Sequence, residues 1–147
     1  MKHITDLYNE SPFGKRQGSL LKFIDLMIKL TGVNTDHCAK EKKTARLLEA
    51  LKTWAIDQSL GEEAMLEMSL EDIEAMFQKS ESEMIKSVGG QQKWNMLSDA
   101  DKSERRAIML EKTIAELGQE AIEKLSDEEK CLLHLFIWTG CGCHKRS

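Results

Sequence analysis

Proline, aromatic rings and strand-forming runs are all scarce in this chain. Pro12 is the lone proline, so nothing beyond it carries the residue that most strongly breaks a helix. Aromatic residues make up 5% of the chain, and runs of Val, Ile, Thr and Tyr are missing, which disfavours a sheet protein. No apolar stretch is long enough to span a bilayer: the first, Leu20 to Leu30, is interrupted by Lys22, Asp25 and Lys29. A secretory pattern is missing at the start. That makes the chain soluble and cytoplasmic in expectation, with Cys38, Cys131, Cys141 and Cys143 as reduced thiols. Glycine-rich phosphate loops, nucleophile elbows and the paired Glu-x-x-His of di-iron bundles are also missing. These gaps remove the common routes to catalysis and cofactor binding.

What remains is helical material. The 147 residues, 41% apolar and 31% charged, fit one domain that buries a core without disulfide or metal. Leu, Glu, Lys, Met and Ala dominate. The expected fold is all-α, a compact bundle of five to seven helices in a single domain. Residues 1–18 read as an irregular N-terminal arm, 19–140 as the helical domain and 141–147 as a flexible tail.

Capping chemistry places the helices. Ser19 suits an N-cap for a helix to Leu30 closed by Gly32, apolar on nearly every side and so expected in the core. Thr35 or Asp36 starts a second helix to about Ser59, with Leu47, Leu48, Leu51, Trp54 and Ala55 on one face and Gly61 as its end. A short turn over 62–67 follows. Ser69, Ser98 and Ser126 each precede an acid by three residues, the pattern of a capping box. Their spacing of 29 and 28 residues matches that of a helical repeat, but the apolar positions behind the caps do not align: Ile73 corresponds to Lys102 and Lys130. Reuse of one cap in a bundle is the preferred reading. Leu70 to Val88 forms a stripe with a break or kink expected near Ser80, and Gly89-Gly90 ends it. Gln91 to Leu97, carrying Trp94, is a short helix. A long one follows Ser98, and the last runs from Ser126 to about Trp138.

Candidate chemistry is sparse. Cys131, His134, Cys141, Cys143 and His144 have zinc-ligand side chains, but their spacing matches no two-cysteine knuckle. The expected reading is Cys131 as a small core residue, His134 as a partly exposed polar position and the rest as a frayed tail. His37 and Glu41, one turn apart, suit a charged surface turn better than an acid/base pair. Glu71-x-x-Glu74 and Glu120-x-x-Glu123 lack the second acidic pair of an all-α pyrophosphohydrolase. Lys40, Lys42, Lys43, Arg46 and Lys52 make a basic run on the second helix, with Lys42, Lys43 and Arg46 spaced for phosphate contacts. No neighbouring aromatics in the sequence complete a single-strand platform. From Asp57 to Glu83, nine acids stand against Lys79 alone.

The expectation is therefore a non-enzymatic protein–protein interaction module, an adaptor, inhibitor or small regulatory subunit without cofactor. It acts through exposed apolar and acidic helix faces on another protein or a second copy of itself, and not on a membrane. The alternative is a nucleic-acid-binding helical protein that uses Lys42, Lys43 and Arg46.

Overall fold

The computed structural model describes residues 2–12, 15, 21–35 and 39–140. Its element order is α1 (Lys2–Glu10), α2 (Phe23–Lys29), β1 (Gly32–Thr35), α3 (Ala39–Glu67), α4 (Leu70–Val88), α5 (Gln91–Met96), α6 (Asp99–Glu123), α7 (Asp127–Leu133) and β2 (Ile137–Gly140). The fold is all-α, with seven helices among the described residues and one parallel pair of four-residue strands. Contacts divide the chain into two compact units. One comprises Met1–Ile56 with Leu125–Ser147, the other Asp57–Lys124.

The three serine caps form as the sequence predicts. The hydroxyls of Ser69, Ser98 and Ser126 accept from the amides of Asp72 (3.1 Å), Asp101 (3.1 Å) and Glu129 (3.3 Å). Only the last is a full box: Glu129 is long enough to accept from the Ser126 amide at 2.9 Å as well. The shorter aspartates instead accept from the serine hydroxyls, both at 2.6 Å. α4 ends in a Schellman turn, with the amides of Gly89 and Gly90 bonded to the carbonyls of Lys86 and Ile85. Gly89 and Gly90 take φ of 97° and 101°, which a side chain disfavours.

Several expectations need correction. Residues 2–10 of the supposed irregular arm are helix α1. Asn9 anchors it, its side chain donating to the Leu21 carbonyl (3.0 Å) and accepting from the Leu21 amide (2.8 Å). The helix expected from Ser19 to Leu30 is shorter. α2 begins after Lys22 and ends at Leu30, which is extended, and Ser19 lies outside the described residues. Met27 of α2 is fully buried. No break occurs at Ser80, because α4 is continuous. The final helix stops at Leu133, and Ile137-Trp138-Thr139 form β2 instead. Their β-branched and aromatic side chains suit a strand. The ladder with β1 supplies the backbone partners, pairing Gly32 with Ile137 through Thr35 with Gly140. Gly32 belongs to that ladder rather than to a helix end: a Cβ there would lie 2.2 Å from the Ile137 carbonyl oxygen.

α3 runs through Gly61 to Glu67, so Gly61 does not end it. Glycine inside a helix costs about 1 kcal/mol against alanine, and its place here is set by a helix crossing. Within the Asp57–Lys124 unit, a Cβ at Gly61 would lie 1.8 Å from the Ile114 carbonyl oxygen, and one at Gly118 would lie 1.9 Å from that of Asp57. The two glycines act reciprocally, each at one of two contact points four residues apart on both helices. Each gives the other helix's backbone room, so α3 and α6 cross antiparallel with a Cα hydrogen aimed at the opposite carbonyl. Gln58 Nε2 donates to the Glu111 carbonyl at 3.0 Å beside this crossing.

The buried side of α3 also differs from the predicted stripe. Ala45, Lys52, Ala55 and Ile56 are buried, whereas Leu47 is 55% exposed and Leu51 and Trp54 lie at the exposed margin.

Candidate functional site

Lys52 shows how far tertiary context changes the basic run. It is buried, and its ammonium donates to the carbonyls of Ile28 (3.0 Å), Leu30 (2.8 Å) and Leu135 (3.0 Å). Three donors meet three acceptors. Leu30 precedes β1 and Leu135 precedes β2, so one side chain ties together the approaches to both strands and places positive charge at the C-terminal end of α2. Burial pushes this ammonium below the ordinary lysine value. Lys52 is therefore a structural cation and leaves the candidate phosphate-binding patch.

Lys42 and Arg46, one turn apart on α3, remain at the surface. With Ala45 and Glu49 they form one wall of a cleft of about 240 Å³, and Phe136 and Trp138 form the other. The indole nitrogen of Trp138 donates to the Thr35 hydroxyl at 2.7 Å, which fixes the ring by one edge. Lys43 is exposed but does not line this cleft. The aromatics that the sequence fails to place beside the lysines thus arrive from β2 (Trp138) and the residue just before it (Phe136), some ninety residues away. The signal available in the sequence was the Ile-Trp-Thr triplet, which suits a strand better than a helix end.

A second cleft, of about 520 Å³, lies within the Asp57–Lys124 unit between α4 and α6. Phe77, Ser80, Glu81 and Met84 of α4 follow the i, i+3, i+4, i+7 spacing of one helix face, and Ser103, Arg106, Ala107, Met109, Leu110 and Thr113 of α6 oppose them. The helices meet at Ser80 and Thr113, whose hydroxyls are 3.5 Å apart. Arg106 donates to Glu81 at 3.2 Å, and its guanidinium stands 5.8 Å from the centroid of the buried Trp94 ring. Phe77 and Leu110 are left 45% and 38% exposed. The stripes that would close on each other in a tight pair are open to solvent here. Between residues 57 and 124 the sequence holds sixteen acids and eight bases, so this apolar cleft belongs to a strongly acidic unit.

The metal candidates divide. Cys131 is not the core residue expected but an exposed free thiol on α7, and His134 is the exposed residue that ends that helix. Cys141, Cys143 and His144 lie outside the described residues, as does His37. Among the described residues, no group of three or more His, Cys, Asp or Glu side chains is placed to hold a metal ion. No helix among them is long and apolar enough to cross a membrane.

The described residues thus form an all-α protein in which one surface cleft is apolar and lies in an acidic unit, and another pairs cations with aromatics. No protein-family model, curated protein or solved structure matches the chain.

Proposed function

We propose that the chain is a non-enzymatic protein–protein interaction module that receives a partner's amphipathic, basic-flanked helix in the α4–α6 cleft. The supporting observation is the open apolar seam at Phe77, Met84, Ala107 and Leu110 within a unit carrying twice as many acids as bases. An amphipathic helix offers an apolar ridge for such a groove, and basic flanks complement the surrounding carboxylates and speed encounter. Adaptors, inhibitors and small regulatory subunits all work by this kind of docking.

The test uses Ala107→Glu. This substitution fills the cleft while leaving the unit acidic, so it separates groove filling from charge attraction. A fluorescent amphipathic Lys/Leu helical peptide is titrated into the wild type and the variant, with sedimentation run alongside. The expected result is saturable binding that weakens at least tenfold in the variant. Equal binding by both chains, or none by the wild type, refutes the reading. Self-association abolished by Ala107→Glu would replace the foreign helix with a second copy of the chain.

A further inference from the structure

The cleft between α3 and β2 shares no residue with the α4–α6 groove, and a different chemistry is built into it. Lys42 and Arg46 place two cations one helical turn apart, and among the described residues neither takes part in an ion pair. Lys52, on the same helix, is held by three carbonyls. The fold therefore satisfies one cation internally and leaves two lining a cleft. Facing them are Phe136 and Trp138, two residues apart, with the indole held by the Thr35 hydroxyl. Ala45 between the cations is small and buried, which opens room for a flat ring. Glu49 adds a carboxylate to the lining that can accept from a ring amine.

Cations beside aromatic rings match one ligand chemistry well: an aromatic base carrying a phosphate. At about 240 Å³, the cleft is smaller than the roughly 300 Å³ at which whole small-molecule pockets begin. It has room for one ring, with sugar and phosphate left outside, a distance that the long side chains of the lining residues Lys42 and Arg46 can span. The surroundings favour an anion as well. Residues 1–56 and 125–147 together carry thirteen bases against nine acids, opposite in sign to the other unit.

We propose that this cleft binds a nucleotide, stacking its base on Trp138 and Phe136 and holding its phosphate with Lys42 and Arg46. The nucleotide is either free or one unit of a single strand, and the test distinguishes these sources. AMP and fluorescein-labelled oligoadenylate of eight nucleotides are titrated at low salt into the wild type, Lys42→Gln/Arg46→Gln, Trp138→Leu and Trp138→Phe. Circular dichroism checks that each variant keeps its helices.

The expected result is saturable binding by the wild type. Loss of stacking in Trp138→Leu weakens it about tenfold, while Trp138→Phe keeps an aromatic face and retains most of it. The double glutamine variant binds more weakly, and its affinity falls less steeply with salt, by a slope of about one to two. Oligonucleotide binding with no AMP binding assigns the site to a single strand; equal affinity for both assigns it to the free nucleotide. The proposal is overturned if neither probe binds at low salt. It is also overturned if Trp138→Leu and the double glutamine variant, both folded, bind as the wild type does.

Discussion

Replacing Gly118 by alanine sets two physical effects of opposite sign against each other. Helix propensity alone favours the change by about 1 kcal/mol, because Gly118 sits inside the 25-residue helix α6. The crossing opposes it. The new methyl carbon would start 1.9 Å from the Asp57 carbonyl oxygen, where ordinary contact needs well over 3 Å. The helices would have to move apart by roughly 1.5 Å, a large step on the steep repulsive side of a van der Waals contact. Overpacking of this kind typically costs about 1–3 kcal/mol, occasionally more. Separation also lengthens the Gln58–Glu111 hydrogen bond, worth about 1 kcal/mol. The net expectation is a loss of about 1–3 kcal/mol, or several degrees in Tm for a chain of this length. Gly61→Ala behaves alike, since its methyl would meet the Ile114 carbonyl. The double variant loses less than the sum, because the first separation makes room for the second methyl. Urea denaturation followed at 222 nm reads all three. A Gly118→Ala protein that is more stable by about 1 kcal/mol would refute the close crossing, as propensity would then be the only effect at work.

Two other outcomes follow from single side chains. Lys52→Met keeps the length of the side chain but takes the donor from three carbonyls. At the lower end of about 1–3 kcal/mol for each part-buried acceptor left bare, the expected loss is about 3 kcal/mol or less once the relieved desolvation of the ammonium is counted. An unchanged urea midpoint would show that the clamp contributes nothing. For Glu129, hydrogen bonds from the Ser126 hydroxyl and then the Ser126 amide hold the carboxyl below its ordinary 4.5. A depressed folded pKa means that the stabilisation is present above 4.5 and is lost as pH falls through the lower folded value. The stability difference between wild type and Glu129→Gln should therefore shrink on acidification through that window; a constant difference from pH 7 to 3 would contradict the cap.

The parts of this protein legible in its sequence are those decided within a few residues of chain. Ser69, Ser98 and Ser126 cap their helices through an amide three positions on. Gly89-Gly90 ends α4 because only glycine relaxes at those angles. The all-α class follows from the same local preferences summed along the chain. Tertiary structure decided what depends on partners far away. Gly61 reads as a stop until Ile114 is seen beside it. Lys52 reads as a surface charge until three carbonyls surround it. Phe136 and Trp138 read as the end of a helix until Val33 and its neighbours in β1 offer a ladder, which brings the aromatics to Lys42 and Arg46. A cap is satisfied within one turn and leaves its mark in adjacent letters. A helix crossing, a buried cation or a strand pair is satisfied by groups dozens of residues away, and no single stretch of the chain records that meeting.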